Sequence, residues 1–186
     1  MAISTADFKN GICIEHNDKL WTIVEFQHVK PGKGGAFVRT KLRDVRTGRI
    51  VEHTFNSGTK FDSVRMETKR LQYLYNDGSD FHFMDPESYE QMSVSAEVVG
   101  DVAQWLKESD EVALNYAGEE LISVEPQMFV ELEITETDPG FKGDTVQGGT
   151  KPATLETGAT IQVPMYIEVG ETVQVDTRDG RFVKRV

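Results

Sequence analysis

The sequence predicts an all-β protein built from three small β-barrel domains. Runs of apolar, β-branched and aromatic residues recur at intervals of roughly ten residues, with turn residues between them. No helical segment of about ten or more residues alternates with these runs, which argues against a parallel α/β fold. Three barrels of about 60 residues each also match three zones of different net charge, and domains of that size can fold alone.

Strands are predicted wherever an alternating or short β-rich run lies between turn signals. The runs in the first half are Gly11–Glu15, Leu20–Val29, Ala36–Arg43, Ile50–Phe55, Leu71–Tyr75, Phe81–Met84 and Met92–Val99. The runs in the second half are Glu111–Tyr116, Glu120–Val124, Met128–Thr135, Ile161–Val169, Thr172–Asp176 and Phe182–Val186. Asn, Asp, Gly and Pro supply the turns, as in Asn17-Asp18, Asn56-Ser57-Gly58 and Asp85-Pro86.

Two or three short helices are predicted, and the clearest of them covers Asp101–Lys107. Asp101 can cap the free amides, and Val102, Trp105 and Leu106 share one face. Nearby aromatic residues are expected to fill the core rather than to stack on bases, because the surrounding acids would repel RNA. Those aromatics are Tyr73, Tyr75, Phe81, Phe83 and Tyr89.

Charge is unevenly distributed along the 186 residues, whose formal net charge is −11. Residues 1–64 carry ten basic and seven acidic groups, whereas residues 66–127 carry three basic and 14 acidic groups. Within the first zone, residues 27–49 hold seven basic residues against Asp44 alone, a local net charge of +6. A uniform nucleic-acid binder is therefore not expected, but this basic segment could face a polyanion. The acidic zone could equally be an ordinary solvated surface.

The cellular compartment is predicted from cysteine use and from apolar run lengths. Cys13 is the sole cysteine, so no internal disulfide can form, and its alternating apolar context predicts a buried strand residue. The apolar runs are much shorter than the roughly 18 residues of a membrane span, and the N-terminal segment lacks a secretory signal. We expect a cytoplasmic protein that does not enter a membrane.

Catalytic and metal-binding patterns are missing from the sequence. His16, His28, His53 and His82 have no metal-ligand spacing, and the carboxylates do not form an EF-hand. No nucleophile elbow is present, and adjacent acids such as Glu119-Glu120 are typical of solvated strand faces. We expect neither an enzyme nor a metal or cofactor site.

The segment Lys30-Pro31-Gly32-Lys33-Gly34-Gly35 predicts a hairpin tip that presents Lys33 between glycines. Pro31 fixes the approach, and the three glycines can take positive φ and leave room for a ligand. A phosphate-binding P-loop is excluded, because a strand follows where that motif needs Ser or Thr and a helix. An ordinary exposed hairpin is the alternative, but the basic surroundings favour a finger that faces RNA.

Lys30-Pro31-Gly32-Lys33-Gly34-Gly35-Ala36-Phe37-Val38-Arg39 resembles the tip loop of the bacterial elongation factor P family, in its lysine-bearing branch. The block Asp138-Pro139-Gly140-Phe141-Lys142-Gly143-Asp144, continued by Gly148-Gly149-Thr150-Lys151-Pro152-Ala153, resembles the family's C-terminal signature, and Asp176-Thr177-Arg178-Asp179-Gly180 its closing hairpin. The resemblance implies an SH3-like (KOW-like) domain over residues 1–64 and OB-type domains over 65–127 and 128–186. It also implies an L-shaped outline like that of tRNA.

The same resemblance implies a translation factor that binds the ribosome between the peptidyl-tRNA and exit sites and relieves stalling at consecutive prolines. Peptidyl-tRNA and ribosomal RNA are the implied partners, and a monomer is expected. Lys33 matches the position that a lysine-modifying enzyme alters in family members, while Pro31, Gly32, Gly34 and Gly35 shape its loop. The group attached to Lys33, the modifying enzyme and the stalling motifs beyond proline runs stay open.

RNA-binding residues are expected beside the tip and on the last hairpin. Lys30, Arg39 and Lys41 are candidates because of their charge and their adjacency to Lys33. Arg178 matches the family's closing hairpin and could either contact RNA or hold the turn.

Two other functions stay open at the level of sequence. One is a paralogous factor of the same family with other stalling targets. The other is an OB-fold module that binds single-stranded RNA away from the ribosome, although the acidic residues after position 65 weigh against it.

Overall fold

The computed structural model describes residues 2–139 and 149–186, and it confirms the predicted all-β class. Part of the second motif block, residues 140–148, lies outside the described residues. Within the described residues the chain forms sixteen β-strands in three sheets, numbered here in chain order. The strands are β1 Ala2–Ser4, β2 Cys13–His16, β3 Lys19–Val29, β4 Phe37–Asp44, β5 Ile50–Asn56, β6 Lys60–Val64, β7 Met66–Asn76, β8 Asp80–Met84, β9 Gln91–Ser95, β10 Glu111–Ala117, β11 Glu120–Glu125, β12 Phe129–Thr137, β13 Thr150–Leu155, β14 Thr160–Pro164, β15 Thr172–Asp176 and β16 Arg181–Arg185.

The first sheet has the strand order β1-β6-β2-β3-β4-β5, and its neighbouring strands are antiparallel. Asn17 and Asp18, at φ 53° and 57°, close the tight turn between β2 and β3, as their composition predicted. The inward positions of β2 to β6 form a core around Phe8, whose buried members are Ile14, Ile23, Val38, Leu42, Phe55 and Phe61. Burial of Cys13, which is 2% exposed, confirms its assignment as a core residue.

Side chains along β4 alternate between the core and the solvent-exposed face of the first sheet. Val38, Thr40, Leu42 and Asp44 point inward and are buried, so the residues between them lie on the outer face. Arg39, Lys41 and Arg43 therefore share one exposed face, on the strand that directly follows the Lys33 loop.

The second sheet has the order β11-β10-β7-β8-β9. Tyr73, Phe81 and Phe83 are buried in its core, as predicted. The same prediction was wrong for Tyr75 and Tyr89, which are 52% and 72% exposed. A register shift in β7 between Tyr73 and Tyr75 places Tyr75 opposite His82, and Tyr89 sits in the β8–β9 loop with a φ of 61°.

The helical segment that follows β9 differs from the prediction. The strand expected over Met92–Val99 ends at Ser95, and a short α-helix, Ala96–Val99, takes its place. A 3₁₀ helix over Gly100–Trp105 then replaces the predicted helix. Asp101 lies inside the first turn of this 3₁₀ helix and is not its cap, because the helix begins at Gly100 and Val99 holds the N-cap position. A further 3₁₀ turn, Thr5–Asp7, is capped by Ser4.

The third sheet has the order β14-β13-β12-β15-β16, again antiparallel. Its core is built from the inward residues of these strands, and Trp105 of the 3₁₀ helix packs into it. The largest fully buried members are Leu132, Ile134, Leu155, Ile167 and Val163. Ile161–Val169 was predicted as one strand, but β14 ends at Pro164, after which the chain turns.

The chain forms two compact units. One contains residues 1–69 and 115–123, and the other contains residues 70–114 and 124–186. The Lys33 loop belongs to the first unit and Arg178 to the second. The described residues include no helix that is long and apolar enough to cross a membrane.

Candidate nucleic-acid interface

The Lys33 loop joins two long strands that pair along almost their whole length. β3 and β4 pair from Trp21 opposite Asp44 up to Val29 opposite Phe37. The seven residues from Lys30 to Ala36 lie beyond that last pair, with bends at residues 32–34. The paired strands therefore carry Lys33 in the middle of a protruding loop, as the sequence predicted.

The three glycines of the loop do different things. Only Gly34 has a positive φ, +106°, which side chains of L-residues rarely adopt. Gly32 and Gly35, which could also take positive φ, do not use it. A Cβ atom built at either position meets nothing within 4 Å, so the fold of this chain does not require glycine there. Their absence of a side chain instead leaves room for a close approach by another molecule.

The two lysines of the loop have no hydrogen-bond or ion-pair partner in the described part of the chain. Lys30 and Lys33 are both exposed, and neither makes a hydrogen bond or ion pair with any residue that the structure describes. An amine without an internal carboxylate loses no ion pair when it binds a phosphate or becomes covalently modified. Lys33 therefore has the exposure that both roles need.

Arg39 is the first basic residue of β4 below the loop. Its guanidinium carbon lies 5.6 Å from the centre of the Phe37 ring, a cation–π contact that orients the group. Gln27 of β3 and Thr54 of β5 stand opposite it in the ladders. The three side chains line a cleft of about 330 Å³ on the outer face. Arg39 has no carboxylate partner among the described residues, so its charge is available to a ligand.

Lys41, two residues further along, is already engaged. Its Nζ atom donates to Oε2 of Glu25 on β3 at 2.8 Å, and Glu52 of β5 stands opposite it in the ladder. The hydrogen bond and the charge of Glu25, with a smaller contribution from Glu52, raise the pKa of Lys41. A phosphate would have to compete with these carboxylates. This ion pair could not be predicted from the sequence, because Glu25 lies 16 residues away from Lys41.

Arg178 holds its own turn. Its Nε and Nη2 atoms donate to the two carboxylate oxygens of Asp176 at 2.9 and 2.5 Å, and its backbone amide donates to Oδ1 at 3.1 Å. This fork lowers the pKa of Asp176 to about 2. The Arg178 side chain is still 65% exposed, so its outer edge faces solvent. The structure thus shows the turn-holding contact, and RNA contact by Arg178 stays a prediction.

The histidines do not assemble a metal site. His16 and His53 lie near each other, with ring centres 5.1 Å apart, and burial together with the charge of His53 lowers the pKa of His16. Across residues 2–139 and 149–186, no group of three or more His, Cys, Asp and Glu side chains could hold a metal ion.

Comparison with known proteins finds one family along the whole chain. The model described as "Elongation factor P (EF-P) KOW-like domain" matches residues 4–61, and "Elongation factor P (EF-P) OB domain" matches residues 66–124. "Elongation factor P, C-terminal" matches residues 130–185.

Full-length relatives agree with the family models. Elongation factor P of Pelotomaculum thermopropionicum is 51% identical over 184 residues, which cover 99% of this chain and all of the relative. That of Saccharopolyspora erythraea is 51% identical over 98% of this chain and 97% of the relative.

Among solved structures, an eif-5a family translation initiation factor from Naegleria fowleri shares the fold. It aligns with a TM-score of 0.56 at 15% identity, over 67% of this chain and 97% of its own. The three family models and the relatives at about half identity confirm the resemblance that the loop and hairpin motifs indicated. The chain therefore belongs to the elongation factor P family and is a translation elongation factor.

Proposed function

We propose that this factor binds the ribosome between the peptidyl-tRNA and exit sites and stimulates peptide bond formation at consecutive prolines. The observation that carries the proposal is Lys33, an exposed amine in the middle of a protruding glycine-rich loop, with no ion pair to any residue that the structure describes. Two long paired strands support that loop, so Lys33 can enter a narrow site ahead of the rest of the sheet.

The proposed action is positioning rather than bond chemistry. Proline is a constrained nucleophile and donor, so stalled ribosomes lose time in unproductive arrangements of the reacting groups. A cation held beside the acceptor end of the peptidyl-tRNA reduces that orientational freedom, and effects of this kind can lower a barrier by several kcal/mol. The ribosome remains the catalyst, and the factor acts as a monomer in the cytoplasm without a cofactor.

The proposed RNA contacts rank by how free each cation is. Lys30 and Arg39 have no carboxylate partner among the described residues and would bind phosphates first. Lys41 must leave Glu25 before it can do the same. Arg178 would offer the edge of its guanidinium that Asp176 leaves open. The SH3-like domain 1–64 would carry the first three residues, and the OB-type domain 128–186 would carry Arg178, with domain 65–127 between them.

Lys33 is also the proposed substrate of a lysine-modifying enzyme. Pro31 and Gly34 set the course of the loop, while Gly32 and Gly35 leave its sides open. An active site could therefore close around the amine without meeting side chains. Lengthening Lys33 by an added group would extend its reach in the direction that the loop already points.

The proposal is tested by reconstituted translation of a Pro-Pro-Pro reporter and of a proline-free control. Native factor is expected to restore full-length product from the first template alone, and Lys33→Ala is expected not to. Lys60→Ala is the matched control, since Lys60 is another exposed lysine of the first sheet. The exposed position of Lys33 predicts an unchanged stability for its variant. Full rescue by Lys33→Ala would refute the role of the tip.

A further inference from the structure

The outer face of the second sheet carries an exposed pair of stacked rings. Tyr75 on β7 and His82 on β8 stand opposite each other, with ring centres 4.5 Å apart and planes inclined by 19°. His82 covers one face of the tyrosine ring, yet Tyr75 remains 52% exposed. No other ring is in contact with Tyr75 within the described residues. About half of the tyrosine therefore remains accessible to a ligand, in a cleft that Tyr75 lines.

A network of hydrogen bonds holds this pair in place. Nε2 of His82 lies 2.7 Å from Oδ2 of Asp77. The other carboxylate oxygen accepts hydrogen bonds from the backbone amides of Ser79 and Asp80, both at 2.9 Å. These amide bonds, the Asp80 bond foremost, and the His82 contact hold the pKa of Asp77 well below its usual range. Because the support is already ordered, a ligand that stacks on Tyr75 does not have to immobilise it.

The position of the pair within the fold indicates a class of ligand. OB folds bind oligonucleotides on the face of their second and third strands and with the loop between the first two strands. Here His82 lies on the second strand opposite Ser93 of the third, and Asp77 lies in that loop. Aromatic rings on this face bind nucleobases by stacking. We propose that Tyr75 stacks on an unpaired base of the RNA to which the factor binds, which rests on the proposed function.

Charge limits this site to a single base. Residues 66–127 carry 14 acidic groups against three basic ones, so a run of phosphates would be repelled. A single projecting base brings no run of phosphates against these acids and so avoids that repulsion. The competing occupant is a guanidinium of a basic protein, which can also stack on tyrosine. The Asp77 carboxylate is already paired with His82, but Glu108 lines the same cleft as Tyr75, so charge does not decide between the two occupants. The place of the ring pair on the face that OB folds use for oligonucleotides is what favours the base.

Photocross-linking distinguishes the two occupants. The full chain carrying Tyr75→p-azidophenylalanine is bound to ribosomes that hold peptidyl-tRNA. The complex is irradiated, and the RNA and protein linked to the factor are identified. Tyr89→p-azidophenylalanine is the control, because Tyr89 is another exposed tyrosine of the same unit, 72% exposed. We expect a discrete RNA cross-link from position 75 that position 89 does not give. A cross-link to protein alone, or no cross-link, overturns the proposal.

Affinity for ribosomes gives the energetic test. Loss of a base–aromatic stack corresponds to a weakening of roughly five- to 150-fold, so Tyr75→Ala is expected to fall in that range. Tyr75→Phe and Tyr75→Trp keep an aromatic face and should bind as the native chain does, as should Tyr89→Ala. Equal affinities for Tyr75→Ala and Tyr89→Ala would overturn the proposal.

The readout in translation separates this inference from the proposed function. Tyr75→Ala should raise the factor concentration needed for half-maximal rescue of the Pro-Pro-Pro reporter but leave the maximum unchanged. Lys33→Ala should instead abolish the maximal rescue of the reporter at any factor concentration. If Lys33→Ala keeps full rescue, the tip mechanism fails, while the cross-link from position 75 still decides whether Tyr75 meets RNA.

Discussion

Arg39 and Lys41 offer a matched comparison of two cations on one strand face. Both are exposed residues of β4, but within the described residues only Lys41 has a carboxylate partner, 2.8 Å away. Arg39→Gln therefore removes a cation that has no ion pair within residues 2–139 and 149–186. The double variant Glu25→Gln/Lys41→Gln removes a cation and its partner together and leaves the net charge unchanged. Lys41→Gln alone is a poorer test, since it leaves Glu25 and Glu52 uncompensated beside the RNA.

The expected magnitude follows from counterion release. Each phosphate contact contributes about 0.7 to 0.9 to the slope of log affinity against log salt concentration. Between about 50 and 200 mM salt, one contact therefore accounts for roughly a threefold loss of affinity. Arg39→Gln should lose one such contact and bind with a correspondingly shallower slope. The double variant should keep the native slope, and its stability should change little because the pair is solvent-exposed.

The assay is equilibrium binding of the fluorescently labelled factor to ribosomes over a salt series. Thermal unfolding of each variant, followed by circular dichroism, checks that the sheet is intact. If the double variant flattens the slope as much as Arg39→Gln does, Lys41 leaves Glu25 to bind phosphate, and the ranking by internal partners is refuted. A native slope for Arg39→Gln would equally remove Arg39 from the RNA contacts.

Three further outcomes are expected. Gly32→Ala should leave the free energy of unfolding unchanged or slightly raised, because φ at this position is ordinary and a Cβ atom there meets nothing within 4 Å, but it should reduce activity by filling the room left for another molecule. Gly34→Ala should instead strain the loop by about 1–2 kcal/mol, because φ at this position is positive. Urea unfolding measures the effect on stability, and the Pro-Pro-Pro reporter measures the effect on activity. Asp176 has a pKa lowered to about 2, so its ion pair with Arg178 should stabilise the fold above about pH 4 and lose that contribution as the pH falls towards 2; Asp176→Asn should remove this part of the pH dependence of the urea midpoint. Cys13 is 2% exposed and burial raises its pKa, so a thiol reagent should label it only after unfolding, and rapid labelling of the native protein would contradict its burial.

The sequence predicted strands correctly where apolar and polar residues alternate and where clear turn residues bound the run. β3, β4 and β5 are of this kind, and their predicted bounds lie within one or two residues of the observed ones. β1, β6 and β13 were missed. β13 contains Pro152 and the buried Lys151, both of which argue against a strand when read locally. It forms because β12 and β14 pair with it on both sides, and because the Lys151 amine donates to the Asp138 carbonyl at 2.6 Å.

The sequence by itself determined the all-β class, the protruding loop and the place of Lys33 within it, since turn chemistry and strand alternation act over a few neighbouring residues. Only the tertiary structure decided which charges are free and which aromatic rings are exposed. Lys41 forms an ion pair with a carboxylate on the adjacent strand, so its charge is not free. Tyr75 points outward because a register shift in β7 moves it away from the core. Both outcomes depend on cross-strand register, which brings together residues distant in sequence and is fixed only when the whole sheet packs.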